Sequence, residues 1–202
     1  MLTLENRTNG FVSFLRSSSI QNPLQCKCLS VPLAPDDQLF NLLKFGYEEE
    51  NFYMELVEYS PIYQTQVKDL VVQVHEEFGF SYHADLDSDL DDLSKTYIEH
   101  GGILYILLEG TKVVGTVAIK RVTDSVAELK RMYLLKEYRG QGWGSRLLEQ
   151  AINFCKERRF KECRLDTTVR QTDAQMLYQK KGFIVQRTDG RNVYMVLDLD
   201  KV

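Results

Sequence analysis

A strand, a glycine-rich loop and a helix follow one another between Glu128 and Arg159, and this unit constrains the fold most. The strand is marked by apolar side chains at Leu129, Met132, Leu134 and Leu135. From Ser145 the apolar residues recur at helical spacing, so that one helix face carries Leu147, Leu148, Ala151, Ile152 and Cys155. The pattern predicts a strand joined to an amphipathic helix by a loop that contains Gly140, Gly142 and Gly144.

The loop has the composition of an anion site. A helix start leaves backbone N–H groups without partners and carries about half a positive charge, while glycines let a ligand approach the backbone. Arg139 adds a planar cation suited to phosphate oxygens. A Walker loop is excluded because no Gly-Lys-Ser/Thr is present, and the dinucleotide fingerprint is excluded because Ser145 or Leu147 stands where its last glycine belongs. The remaining pattern is R-x-x-G-x-G, formed by Arg139, Gly142 and Gly144.

This pattern, placed after a strand and opening a helix, resembles the coenzyme A loop of the GNAT acetyltransferase superfamily. Downstream, Ala174 to Phe183 resembles the A-x-x-x-Y-x-x-x-G-F helix end of the same family. The resemblance covers about Met54 to the C-terminus and is strongest to small bacterial-type members. It implies an α/β (α+β) fold with a mixed, splayed central sheet flanked by helices, in the order β-α-α-β-β-β-α-β-α-β-β.

Composition narrows the range of partners. The formal net charge of −4 and the pI near 5.5 do not give the basic footprint of nucleic-acid-binding proteins. No apolar run approaches the roughly 18 residues of a membrane span. Four cysteines and three histidines are scattered without metal-ligand spacing, so we expect no metal site. The partners we expect are a small-molecule or peptide amine, with a homodimer as one option for assembly.

The chain is predicted to divide into an N-terminal extension, residues 1–53, and an acetyltransferase domain, residues 54–202. No acidic residue occurs between Asn6 and Pro35, which is compatible with an organellar transit segment. A disordered tail and sequence translated ahead of a start at Met54 are the alternatives. Asp37 to Asn51 has the pattern of a short helix. We expect a cytoplasmic protein, with import directed by the extension as the alternative location.

Periodicity and turn residues predict the remaining elements of the domain. Ser60 and Pro61 predict a capped helix start, and the leucines between Asp85 and Leu93 predict a second helix that continues to Ile98. The predicted strands are Met54–Tyr59, Ile103–Leu108, Val113–Ile119, Val126–Leu135, Cys163–Thr167, Phe183–Gln186 and Val193–Leu199, and a last helix is predicted over Asp173–Lys181.

The resemblance implies where acetyl-CoA binds. Its pyrophosphate is expected at the backbone N–H groups of the loop, beside Arg139, and its pantetheine arm along the backbone of the preceding strand. The residues expected to bind it are Met132, Tyr133, Leu134, Arg139, Gly140, Gln141, Gly142, Trp143, Gly144 and Ser145.

Two further residues are expected to take part in direct acetyl transfer. A lysine-like amine with a pKa of about 10.4 is neutral in about one molecule in 2,500 at pH 7, a handicap of roughly 4.6 kcal/mol, so a base is needed. Glu128 is the first candidate, because several family members carry a glutamate base on this strand, and pairing with Lys130 or Arg131 is its structural alternative. Glu99 and His100 are weaker candidates. Tyr178 matches the family tyrosine near the coenzyme sulfur, where it would assist the departing thiolate.

Acceptor choice and turnover leave alternatives open. Asp85 to Asp92 carries five aspartates in a region that borders the acceptor site in the family. They would attract a cationic amine, although a solvated acidic helix face is the interpretation we favour. The leading function is an acetyl-CoA-dependent N-acetyltransferase. The alternatives are a non-catalytic acyl-CoA-binding sensor or interaction domain of the same fold, and a nucleotide-dependent enzyme.

Overall fold

The computed structural model describes residues 53–80 and 87–201, together with the backbone of three N-terminal strands. The chain divides into two compact units, Met1–Asn51 and Phe52–Val202. In the first unit one antiparallel sheet contains, in this order, β1 (Thr3–Thr8), β2 (Phe11–Leu15) and β3 (Ser30–Pro32). The helix predicted from Asp37 lies outside the described residues, and the boundary at residue 53 stays a prediction.

The second unit is built on a mixed seven-stranded sheet, and the predicted fold class is confirmed. Its strands are β4 (Met54–Glu58), β5 (Ile103–Glu109), β6 (Lys112–Arg121), β7 (Val126–Leu134), β8 (Glu162–Thr168), β9 (Ile184–Thr188) and β10 (Asn192–Asp198). The sheet order is β4-β5-β6-β7-β8-β10-β9, and only the β7–β8 pair is parallel. The helices are α1 (Gln64–Glu77), α2 (Trp143–Glu157) and α3 (Thr172–Lys180).

The core lies between the central strands and the helices that cover them. β5 is buried from Ile103 to Leu108, and β6 from Val113 to Ile119, as expected for strands covered on both faces. The apolar face predicted for α2 is buried along its whole length. Among the described residues, no helix has the length and apolar character needed to cross a membrane.

Two predictions about the first half of this unit need correction. Helical structure begins at Pro61 after Ser60, as predicted, but its first turn is a 3-10 turn that precedes α1, and the Ser60 side chain makes no capping bond. The helix expected after Asp85 is replaced by a 3-10 turn, Ser88–Leu90, and a π turn, Ser94–Ile98. The apolar spacing that suggested a helix reflects separate insertions of Leu90 and Leu93 into the core.

A β-bulge at Arg131 explains why that helix does not form. The pairing of β7 with β6 shifts between Thr116 and Ala118, and Arg131 has a φ of 50°. Its guanidinium is buried and forms ion pairs with Asp87, at 2.9 Å, and with Asp89. A buried cation needs partners inside the protein, so these two aspartates turn inward. The solvated acidic face that we favoured from the sequence is therefore wrong for Asp87 and Asp89.

The sheet opens on one side of β7. Its parallel pairing with β8 extends only over Val126–Glu128, opposite Glu162–Arg164. Beyond these residues the two strands separate, as predicted for a splayed sheet, and the opening is bordered by the last residues of each strand.

Breaking the buried ion cluster will destabilise the protein. We expect Asp89→Asn to lower the free energy of unfolding by about 3 kcal/mol, at the low end for a buried pair because Asp87 still faces Arg131. For a chain of this size that corresponds to a melting temperature lower by roughly 6–12 °C. Asp200→Asn is the matched control, since the Lys161–Asp200 pair is 63% exposed on both sides, and it should change stability by less than about 1 kcal/mol. Equal losses of unfolding free energy in the two variants would contradict the burial of the Arg131–Asp89 pair.

Candidate active site

Two adjoining cavities occupy the opening of the sheet. The first, of about 460 Å³, lies between the glycine-rich loop, the end of β7 and α3. The second, of about 770 Å³, lies between α1, the end of β8 and the turn before β10. Tyr133, Arg170 and Gln171 line both cavities. The two spaces therefore meet at these three residues.

The loop borders the first cavity with backbone rather than side chains. Gly140 and Gly142 have φ values of 75° and 87°, a region that L side chains rarely adopt. A Cβ atom at either position would meet no atom within 4 Å, so both glycines face open space. Gly144 has a different role, because a Cβ there would lie 3.3 Å from the Leu177 side chain. It lets the first turn of α2 pack closely on α3.

The amides of this loop are available to a ligand. Within the described part of the chain, the backbone N–H groups from Gly140 to Ser145 donate to no protein acceptor. Those of Trp143, Gly144 and Ser145 open α2, where the helix dipole favours an anion. The loop residues present thus fit a diphosphate. Gln141 and Trp143 line neither cavity with their side chains, so only their backbones can contribute.

Arg139 is held at the mouth of the first cavity by two contacts. Its Nε donates to the Leu134 carbonyl at 2.9 Å, and its Nη2 lies 2.7 Å from the Glu77 carboxylate at the end of α1. The arginine is therefore positioned by the strand that precedes the loop. A phosphate reaching this guanidinium would share it with Glu77.

Tyr178 lies in the first cavity, at a position where it can meet a ligand. It projects from α3, is 5% exposed, and its ring packs 5.8 Å from that of Phe183. Burial raises the pKa of Tyr178, and Tyr133 and Asp166 act in the same direction. The hydroxyl stays protonated through the neutral range and can donate a hydrogen bond.

Met132, Tyr133 and Leu134 also line the first cavity, whereas Glu128 does not. The Glu128 carboxylate lies 3.7 Å from Lys130 Nζ on the same strand, and it is absent from the walls of both cavities. The structure therefore brings Tyr178, the loop and the end of β7 together and leaves Glu128 apart from them.

The Tyr133 side chain has a partner that sequence reasoning missed. Its hydroxyl oxygen lies 2.9 Å from Nε2 of His75, a residue of α1. His75 follows Val71 by four residues and therefore lies on the buried face of α1. That spacing was the available signal, but it does not identify a partner on β7.

Of the described aspartates between Asp87 and Asp92, one lines a cavity. Asp87 lines the second cavity, whereas Asp91 pairs with Lys68 at 2.6 Å and Asp92 accepts from the Lys95 amide at 2.9 Å. No group of three His, Cys, Asp or Glu side chains able to hold a metal ion occurs among the described residues.

Comparison with known proteins identifies the family. The sequence model of the acetyltransferase (GNAT) family matches residues 67–183, more than half of the chain. The chain belongs to this family. An uncharacterized N-acetyltransferase of Escherichia coli, YjgM, is 32% identical over 120 residues, which are 56% of this chain and 72% of that protein. Human N-acetyltransferase 8B is 35% identical over 104 residues, or 48% of this chain, and the match spans only 46% of its length.

Comparison with solved structures shows the same fold. The paia N-acetyltransferase from Thermoplasma acidophilum, crystallised in complex with coenzyme A, is 21% identical and has a TM-score of 0.61, with 72% of this chain and 99% of that chain covered. As a member of the acetyltransferase (GNAT) family, this chain is an N-acetyltransferase whose cosubstrate is acetyl-CoA.

A charge placed in the loop will weaken coenzyme binding. Gly142→Glu puts a carboxylate where the open glycine faces the cavity, so we expect the dissociation constant for coenzyme A to rise by at least about 30-fold, or roughly 2 kcal/mol. Isothermal titration calorimetry measures this change. Gly110→Glu is the matched control, because Gly110 also has a positive φ of 60° but lines neither cavity. Unchanged binding in Gly142→Glu would remove the loop from the coenzyme site.

Proposed function

We propose that this protein transfers an acetyl group directly from acetyl-CoA to the primary amine of a small molecule or peptide. The observation that carries this proposal is the arrangement of the first cavity: unpaired loop amides at one end, Tyr178 along its wall, and the second cavity beyond Tyr133. A coenzyme in the first cavity and an amine in the second would meet where the cavities adjoin. Direct transfer needs no covalent acyl-enzyme.

The coenzyme is held mainly by backbone groups in this proposal. The N–H groups from Gly140 to Ser145 receive the pyrophosphate, and Arg139 adds a cation at its edge. The backbone of Met132, Tyr133 and Leu134 borders the pantetheine arm. When bound, the coenzyme supplies the acetyl group as an activated thioester.

Tyr178 assists the leaving thiolate by donating a hydrogen bond. With an ordinary pKa near 10, giving up its proton to a thiolate with a pKa near 8.5 costs about 2 kcal/mol. Because burial raises the pKa of Tyr178 further, complete proton transfer costs more than that. Stabilisation of the developing negative charge by a retained O–H group is the more favourable role.

The amine occupies the second cavity, where Asp87 and Asp166 provide negative charge. Glu128 as the base stays a prediction. Its carboxylate lies beside Lys130 and lines neither cavity. The cytoplasmic location and the homodimer also stay predictions.

An acceptor screen with the whole 202-residue chain tests the function. Release of free coenzyme thiol from acetyl-CoA is followed with a panel of primary amines, including polyamines, amino acids and lysine-containing peptides. We expect thiol release that depends on the amine, with the acetylated product identified by mass spectrometry. Coenzyme binding without turnover on any amine would favour the non-catalytic sensor instead. Binding of ATP or NAD in preference to coenzyme A would favour a nucleotide-dependent enzyme.

Removing the Tyr178 hydroxyl will slow turnover more than it weakens coenzyme binding. We expect Tyr178→Phe to lower kcat by about 10- to 100-fold, as for the loss of one hydrogen-bond donor to a developing anion, while KM for acetyl-CoA changes by less than about 3-fold. Steady-state kinetics measures both quantities. Tyr194→Phe is the control, because the exposed Tyr194 hydroxyl bonds Asp189 and lines neither cavity. If Tyr178→Phe turns over at the wild-type rate, Tyr178 has no part in the reaction.

A further inference from the structure

His75 and Tyr133 meet in the second cavity, close to where an acceptor amine would lie. The distance from His75 Nε2 to the Tyr133 hydroxyl oxygen is 2.9 Å, and the two rings are nearly perpendicular with centroids 5.3 Å apart. Both side chains line the second cavity, and Tyr133 lines the first as well. The phenol of Tyr133 therefore lies at the junction of the two cavities, and the imidazole of His75 contacts it from the second cavity.

The charges around the imidazole come from two other elements. Asp87 and Asp89 face it from the segment before the π turn, and Arg131 faces it from β7. Phe80 adds an aromatic edge 6.0 Å away. Burial lowers the pKa of His75 below its usual value near 6.5, so the ring is neutral at pH 7 and one nitrogen keeps its lone pair.

We propose that Tyr133 and His75 form the proton path that deprotonates the acceptor amine, an inference that rests on the proposed function. The ammonium group of the acceptor gives one proton to the Tyr133 oxygen while the Tyr133 hydroxyl proton moves to His75 Nε2. One N–H and one O–H bond break, and one O–H and one N–H bond form. The products are a neutral amine and an imidazolium, and Tyr133 ends unchanged.

The rest of the proton balance follows from the positions of the two tyrosines. The neutral amine attacks the thioester carbonyl, and the nitrogen loses a second proton as the amide forms. The departing thiolate, beside Tyr178, takes up one proton, and coenzyme A leaves as the thiol. The imidazolium returns its proton to water through the open second cavity. One proton is released to solvent for each ammonium acetylated.

The lowered pKa of His75 determines how kcat/KM should change with pH. The imidazole accepts a proton only when it is neutral, so kcat/KM falls as the pH drops through the pKa of His75, below about 6.5. At high pH an increasing fraction of the amine is already neutral in solution and does not need the Tyr133–His75 path. The contribution of the proton path should therefore shrink as the pH approaches the pKa of the amine.

Kinetics of the full chain with an acceptor found by the amine screen tests the path. At pH 7, His75→Gln and Tyr133→Phe should each lower kcat by about 100-fold, as expected for loss of a general base. Near pH 10 the loss should shrink to less than about 10-fold, and the dissociation constant for coenzyme A should change by less than about 3-fold. A loss that is equal at both pH values would identify a structural role and overturn the proposal.

Tyr59→Phe is the matched control for Tyr133→Phe. The Tyr59 hydroxyl also bonds a side chain of α1, Gln64, at 2.8 Å, but it lines neither cavity. It should keep the wild-type pH profile. If Glu128→Gln rather than His75→Gln shows the loss confined to neutral pH, Glu128 is the base and our inference is wrong.

The tautomer of His75 is a readout that does not require turnover. In imidazole ¹⁵N NMR spectra of the full chain, with the His75 signal assigned by its absence in His75→Gln, the neutral ring at pH 7 should carry its proton on Nδ1. Tyr133→Phe should shift the ring toward the Nε2–H form. A wild-type ring protonated on Nε2 cannot receive the phenol proton and would overturn the path. If coenzyme binds but no amine is acetylated, the proposed function fails, whereas the tautomer result separately supports or refutes the His75–Tyr133 geometry.

Discussion

The burial of one guanidinium, that of Arg131, fixes the bulge in β7 that precedes Tyr133. A positive φ at a non-glycine residue costs of the order of 1–3 kcal/mol and persists only where the surroundings enforce it. Here Asp87 and Asp89 enforce it, because moving either carboxylate away would deprive a buried cation of one of its carboxylate partners. Tyr97 extends the cluster by donating its hydroxyl to Asp89. The bulge in turn shifts the register of β7, so that Tyr133 follows it at the junction of the two cavities.

Two glycines fix the loop against the elements that carry the chemistry. Gly115 on β6 leaves room for Leu134, since a Cβ atom would come within 2.5 Å of the leucine side chain. Gly144 lets α2 approach Leu177 on α3, one residue before Tyr178. The loop amides and the phenol are thus linked through a packed contact rather than through flexible segments. A diphosphate bound at α2 would therefore have a defined distance to Tyr178.

Local patterns predicted the elements that depend on local interactions. The face of α2 from Leu147 to Cys155 follows from helical periodicity, and Tyr178, which the motif singled out, lines the first cavity. The bulge was not predictable, because the sequence around Arg131 has the pattern of an uninterrupted strand and the compensating Asp87 lies 44 positions away. The His75–Tyr133 pair spans 58 positions. The leucine spacing near Leu90 wrongly predicted a helix, and the cause again lies in distant residues. Tertiary ion pairing overrides a helical pattern in a short segment.

In the proposed reaction the two tyrosines of the cavities act on different sides, because burial keeps both phenols protonated at neutral pH. Burial raises the pKa of Tyr178 and also that of Tyr133, where Arg131 only partly opposes it. Both phenols keep their protons across the neutral range, so neither serves as a base by itself. In the proposed reaction Tyr178 can therefore only donate a hydrogen bond, toward the coenzyme sulfur. Tyr133 can pass a proton only if another group accepts one from it at the same time, and among the described residues that bond Tyr133 Oη, the neutral imidazole of His75 is suited to do so.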